Sequence, residues 1–406
     1  MNPGIWVPLF YGESCRAGCE DANLIKPILK TALAVLPDKL RRKVEIMGAS
    51  LSNTLENWWL PGYRVEGELG GDGGRATLLY FGDLPQYNQW SHHFFTERTD
   101  ASYVGKFRWI DAVRRKSNIP DYDLALFPVN PLTEPISVKM GWHIIPLYVS
   151  CVLDLTDTTE NLIRSQTFKQ QVKAIRAKNY QIRELSADSD LEDFYHEMLL
   201  PTIKERHGEV AFTSGLESLK SLLQEGRFFG LYRDTEWIAG RIVCPEGLDE
   251  LRLAVVGWKN GDEKLLREGV VTAILVKTID WARSAGFKRI NLGSSIPFIN
   301  DGPLNAKLRW KAKISMPQTQ SVSEELQGVG GFVGADFKIA SNAGRAILRK
   351  APLLEKHGRT LRVIGWESNI KPEFRHQFDL GMEWVDLAVA RNRNGPYNSD
   401  SRKETQ

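Results

Sequence analysis

Nothing in these 406 residues reads as a membrane span: no apolar run approaches the ~20 residues a helix needs to cross a bilayer, and residues 1–12 have neither the basic start nor the apolar stretch of a secretory signal. The expectation is a cytoplasmic protein. Four cysteines, Cys15, Cys19, Cys151 and Cys244, are too few for a disulfide framework and suit a reducing compartment. Cys15 and Cys19 stand close enough to share a metal, but no second pair accompanies them and His92 and His93 are remote in sequence. Unligated thiols are the simpler reading, and no metal is expected. Net charge is only +3, so whole-molecule charge argues neither for nor against a nucleic-acid partner, and local clusters have to decide.

What is present is the profile of a globular protein, 42% hydrophobic and 25% charged, with length for two domains. The most regular stretch spans residues 227–313. It reads as strands over 227–233, 237–244 and 250–258, a helix over 268–284, a strand over 289–294 and a basic segment over 304–313. The helix carries Val270, Val271, Ile274, Leu275, Thr278, Trp281 and Ala282 on one stripe, and Gly286 stops it. Its start, Gly261-Asp-Glu-Lys-Leu-Leu-Arg-Glu-Gly269, combines charge with glycine at a strand-to-helix corner. Unpaired N–H groups and the helix dipole favour an anion there, and Gly269 lets a backbone come close.

Elsewhere, Trp58, Trp59 and Leu60 form an aromatic cluster at the Pro61-Gly62 turn, suited to core packing or to holding a sugar or acyl chain. A strand is expected over 76–81, a helix over 103–116 and a strand over 123–129, with an aromatic loop over 86–95. Residues 142–153 read as one strand. A helix follows, capped by Asp157 with Glu160 in a capping box and reaching Lys178. Arg164, Lys169, Lys173, Arg176 and Lys178 make it basic, as a phosphate-holding face or as a solvated surface over Leu162, Ile163, Phe168, Val172 and Ile175. A strand over 180–186 precedes helices capped by Ser189 with Glu192 and by Ser214 with Glu217. In the segment after 303, Lys307, Arg309, Lys311 and Lys313 alternate with apolar residues, which reads as a strand. From 317 on the pattern weakens: a loop over 328–334, a basic helix over 335–350, strands over 360–366 and 383–390, and a polar tail.

The run Trp281-Ala-Arg-Ser-Ala-Gly-Phe-Lys-Arg-Ile-Asn-Leu-Gly-Ser-Ser295, then Asp301-Gly302 and Ala306-Lys-Leu-Arg-Trp-Lys-Ala312, resembles the Fem-type branch of the GNAT superfamily over about residues 140–315. That branch includes peptidoglycan-bridge aminoacyltransferases and CelD-like acetyltransferases. The resemblance implies an α/β fold of tandem GNAT-like (acyl-CoA N-acyltransferase) domains, with mixed central sheets flanked by helices. It divides the chain into an N-terminal domain over 1–155, a basic connecting helix over 156–180, a C-terminal domain with its extension over 181–390, and a disordered tail over 391–406. It also implies a short helix through Lys307 that changes to strand near Lys311, against the alternation. Acyl-CoA or aminoacyl-tRNA is implied as donor, with a cell-envelope or glycan precursor as acceptor and peripheral membrane association as an option. Two departures stand out. The GNAT Q/R-x-x-G-x-G/A loop is represented only by Arg267 and Gly269 at a different interval, without the second glycine, and the Fem-type Phe-Lys pair is Ala306-Lys307.

Acyl transfer needs a clamped donor, hydrogen-bond donors for the developing oxyanion and a proton acceptor. Arg267, Glu268, Gly269 and Val270 are the candidate donor seat, and the strand at 251–258 offers N–H groups if it carries a bulge. Tyr195, Asp301 and Glu268 are candidate bases, with plainer roles as core residue, turn former and helix-start carboxylate. Lys307 is the candidate phosphate contact or a surface lysine. A non-catalytic GNAT-shaped binding module is the alternative that the missing glycine favours, and a tRNA-binding protein would need the basic helix and residues 307–313 to join.

Overall fold

The computed structural model describes residues 58–70, 73–82, 90–91, 93–115, 119–207, 215–316, 331–366 and 381–389. A strand that the sequence suggests over 5–10 and a helix over 26–35, together with Cys15, Cys19, Ser214 and the tail, lie outside the described residues.

The chain divides into two units. Among the described residues, unit one takes 149–295 and 301–315, while unit two takes 58–148, 296–300 and those from 316 on. The expected sequential division at 155 and 181 therefore gives way to an interleaved one. The strand Phe332–Phe337 pairs with Leu124–Val129 and His143–Pro146, so the segment after 331 completes unit two's sheet.

In unit one, strands are numbered β1 Val149–Asp154, β2 Tyr180–Leu185, β3 Arg227–Arg233, β4 Glu236–Glu246, β5 Glu250–Trp258, β6 Arg289–Ser295 and β7 Lys313–Ser315. They form one mixed sheet in the order β7-β1-β6-β5-β4-β3-β2. The β2 to β5 meander is antiparallel and β6 adds parallel to β5 after a helical crossover. Helices are α1 Gln166–Ala177, α2 Asp188–Asp193, α3 Leu200–His207, α4 Leu216–Leu223, α5 Glu263–Arg267, α6 Val270–Ser284 and α7 Gly302–Leu308. The near-continuous apolar runs of β3, β4 and β5 are buried on both faces, as strands covered on both sides must be. Phe194 and Phe228 pack together on one face, and Phe229 meets Trp281 of α6 on the other. Helix α6 is buried more widely than one stripe, adding Ala273, Val276 and Ile279.

Between α2 and α3 the helix widens into a π-turn over Phe194–Leu199. Pro201 lacks the N–H that would close an α-turn onto Glu197, which accounts for the changed register. The widened turn lies against β5: a Cβ on Gly257 would come 2.9 Å from the Leu199 nitrogen.

Unit two holds a seven-stranded sheet with Trp59–Glu68, Arg75–Phe81, Leu124–Val129, Phe332–Phe337 and His143–Pro146 in adjacent positions, and a three-stranded sheet of Leu353–His357, Thr360–Gly365 and Trp384–Asp386. Several expectations change here. Residues 142–153 are two strands, His143–Pro146 in unit two and β1 in unit one. The helix at 103–116 is a strand, Ser102–Arg108, with one short helix turn, Trp109–Val113. Alternating Val104, Lys106 and Arg108 with Phe107 suits an edge of the sheet. Trp59 begins a strand that runs through Pro61 and Gly62 instead of forming a turn. Within 335–350 only Asn342–Lys350 is helical, and Glu383 onward yields only Trp384–Asp386 as strand. The aromatics Trp90 and Phe94 pack on Phe298, with ring centroids 5.2 Å and 5.4 Å away, as core.

Candidate functional site

The parallel partners β5 and β6 pair only at Glu250↔Arg289, Leu251↔Ile290 and Arg252↔Asn291, then part. Both strands carry the irregularity that makes them part. Ile242 faces Val255 and Val243 faces Leu253, so Ala254 is an extra residue in β5, a β-bulge. In β6, Asn291 faces Val152 and Ser294 faces Ser150, so Leu292 and Gly293 stand against Cys151 alone. Gly293 has φ +81°, where a Cβ would be strained, and its N–H donates to the Asn291 side chain at 3.0 Å.

Lys307 holds this parted end. Helix α7 carries it into the interior, where Nζ donates to the carbonyls of Gly293 at 2.9 Å and Ser294 at 2.6 Å. Residues 302–308 are helical and 313–315 a strand, so the helix-then-strand reading replaces strict alternation. Lys307 is 6% exposed, a buried amine and not a surface lysine. Burial pulls its pKa down to about 8, against the charges of Cys151 and Asp301. Asp301 caps α7, accepting from the Leu304 N–H at 2.9 Å. Burial pushes its carboxyl up to about 6, against that hydrogen bond and the Lys307 charge. Cys151 and Ser295 are fully buried beside them. Tyr195, on the π-turn over Phe194–Leu199, is partly buried against the core and edge-on to His196.

The second feature is the start of α6. Because β5 leads through α5 directly into α6, this helix start lies at the carboxyl ends of β5 and β6, the end where they part. Gly269 is its N-cap at φ +88°, and no side chain caps the helix. The first intrahelical bond runs from Ala273 N to Gly269 O, which leaves the earlier N–H groups for a ligand or water. The charged side chains of the corner pair with one another. Arg267 bonds Glu263 at 2.6 Å, Arg233 bonds Glu268 at 2.9 Å, and Lys178 donates to the Glu268 carbonyl. Ile175 of α1 lies against Gly269.

The basic helix begins later than expected. Ser165, accepting from Phe168 N, caps α1 at Gln166, while Asp157 binds the Asn161 side chain in the preceding turn. It docks on the segment after α7: Arg164 N donates to the Arg309 carbonyl, Arg309 reaches Gln171 at 3.0 Å and stacks over Phe168, and Trp310 meets Phe168 edge-on. Residues 164–171 and 309–310 are thus in contact, and Lys173, Lys178, Lys311 and Lys313 are exposed, while Lys307 is buried and adds nothing to a basic surface.

One charged residue was not singled out from the sequence. Arg241, in the middle of β4, is 3% exposed, and among the described residues its Nε has no hydrogen-bond partner and no carboxylate offsets its charge. Burial alone lowers its pKa to about 9. The available signal was an arginine inside the apolar strand Ile238-Ala-Gly-Arg-Ile-Val-Cys244. Among the described residues no cluster of His, Cys, Asp and Glu is arranged to hold a metal, and no helix is long and apolar enough to cross a membrane.

No known family profile and no curated protein matches this chain. Solved structures similar to it include the C-terminal domain of a putative lysylphosphatidylglycerol synthetase from Agrobacterium fabrum, at 15% identity and TM-score 0.33, covering 67% of this chain and 81% of that one. FemX is similar at 11% identity and TM-score 0.34, covering 70% and 90%. A tandem GNAT protein from the clavulanic acid pathway is similar at 10% identity and TM-score 0.27, covering 65% and 78%.

Proposed function

We propose that unit one is an acyltransferase whose activated donor lies at the parted ends of β5 and β6. The observation that carries this reading is the parting itself: a parallel pair that separates after three residue pairs, with a bulge at Ala254 and a buried ammonium at Gly293 and Ser294. A strand edge that has left its partner exposes N–H groups to a carbonyl placed between the strands, and donors held rigidly in a water-poor site stabilise a developing oxyanion. Lys307 has three N–H donors and spends two on the strand, so one remains for the donor. The uncapped start of α6, with Gly269 and the Val270 N–H, is the seat for the donor's phosphate. Arg267 and Glu268, paired to Glu263 and Arg233, shape the corner.

The donor is an acyl-CoA or an aminoacyl-tRNA, and the acceptor an amine or hydroxyl on a cell-envelope or glycan precursor. The contact of α1 with Arg309, and the exposed lysines that both segments carry, support the tRNA-borne donor, since exposed cations bind phosphodiesters. Asp301, raised by burial, is the proton acceptor in this scheme. The test is binding of a non-hydrolysable acetyl-CoA analogue and of charged tRNA at several salt concentrations. The reading expects one of them to bind, with a steep salt dependence for tRNA. Failure of both leaves the non-catalytic binding module, which the missing second glycine and the self-paired corner charges support.

A further inference from the structure

A buried guanidinium with no counter-charge is an expensive thing for a fold to keep. An isolated ion taken out of water loses far more hydration than the protein interior returns, which is why buried charges are nearly always paired. Arg241 is such a group: it is almost wholly buried, and among the described residues its Nε has no hydrogen-bond partner and no carboxylate offsets the burial of its charge. Its position is informative. Arg241 pairs across the sheet with Phe229 of β3 and Val256 of β5. Directly opposed residues share a face, and Phe229 packs on Trp281, so Arg241 lies on the face that α6 covers. Val256 belongs to the half of β5 that has left β6. The guanidinium is therefore one strand in from the open edge, in the layer beneath α6.

We propose that Arg241 is the receptor for an oxyanion of the ligand, a carboxylate or phosphoryl group that enters between β5 and β6 and completes the ion pair the protein lacks. The planar fork of arginine donates to such a group with two parallel bonds. This assignment rests on unit one being a ligand-binding unit opened at that edge. It adds a second anionic recognition point to the helix start at Gly269, so the ligand carries a negative group near its reacting end as well as on its carrier.

The experiment uses the full chain and measures melting temperature in sodium phosphate, sodium acetate and sodium chloride at equal ionic strength, for the wild type, Arg241→Met and, as an exposed control in unit two, Arg75→Gln. The wild type and R75Q are expected to gain about 5 °C or more in acetate or phosphate over chloride when the anion is in roughly hundredfold excess over its Kd. R241M is expected to lose the acetate gain, and to lose the phosphate gain down to what the Gly269 seat alone supplies. Acetate acting alone marks a carboxylate, and phosphate acting alone a phosphoryl group. No gain over chloride in the wild type, or an equal gain in R241M, overturns the proposal. If R241M does not fold, the Arg241 Nε–H resonance of the wild type decides: it shifts on titration with the effective anion, and a resonance that stays in place overturns it. Because the readout is anion binding, failure here leaves the acyl-transfer reading standing, and failure of donor turnover leaves this result intact.

Discussion

The Lys307 Nζ lies 2.6 Å from the carbonyl oxygen of Ser294 and 2.9 Å from that of Gly293, so one buried ammonium ties α7 to the bulged end of β6. The bond explains why this lysine is inside. A strand that leaves its neighbour turns carbonyls away from the ladder, and those carbonyls need donors wherever water is excluded.

Lys307→Met is expected to lower stability by about 1–3 kcal/mol, because two buried carbonyls lose their donor. Donor turnover is expected to fall further than stability does. Urea denaturation and turnover measured on the same preparation check both parts.

Stability is expected to depend on pH through two groups with opposite signs. Asp301 holds its proton to about 6 when folded, above the ordinary 3.8. Between those values the folded chain binds more protons than the unfolded one, so stability falls as pH rises from about 4 to 6. Lys307 releases its proton near 8 when folded, below the ordinary 10.5, so stability rises as pH goes from about 8 to 10.5. Denaturation midpoints across this range check the pattern. Asp301→Asn flattens the acidic limb and Lys307→Met the alkaline one.

Gly269→Ala is expected to destabilise by roughly 1–2 kcal/mol, the usual cost of a side chain in left-handed backbone. The contact adds to this, since the new Cβ would stand 2.8 Å from Ile175 Cδ1. Ile175→Val removes that methyl, so a double-mutant cycle is expected to show favourable coupling between the two changes.

Ser165→Ala is expected to cost about 1 kcal/mol through loss of the α1 cap, and Asp157→Ala much less. Thermal denaturation of the two variants distinguishes the observed helix start from the one suggested by the capping-box pattern.

The meander and crossover of unit one were legible because β3, β4, β5 and α6 each carry a local signal: apolar runs of strand length between turns, and a helical stripe ended by Gly286. The 142–153 run was not, because an apolar stretch shows that a segment is buried and not that it leaves one sheet at Leu147 and Tyr148 to enter another. Asp157 and Glu160 match a capping box, yet the fold caps α1 with Ser165, next to the packing of Phe168 on Trp310, a contact that no local pattern shows. Lys307 was found through its motif, but its burial and carbonyl partners depend on a bulge 14 residues upstream. Arg241 left no pattern beyond one charge in an apolar strand, because lacking a partner is a property of the packed unit.

The central claim is that an acyl donor lies between the parted strands. Its most direct measurement is a crystal structure with a non-hydrolysable acetyl-CoA or aminoacyl-nucleotide analogue bound. The account predicts the analogue's carbonyl between Leu253–Trp258 and Leu292–Ser295, with its phosphate at the Val270 end of α6. An analogue bound elsewhere, or strands closed and filled by side chains under saturating ligand, contradicts it.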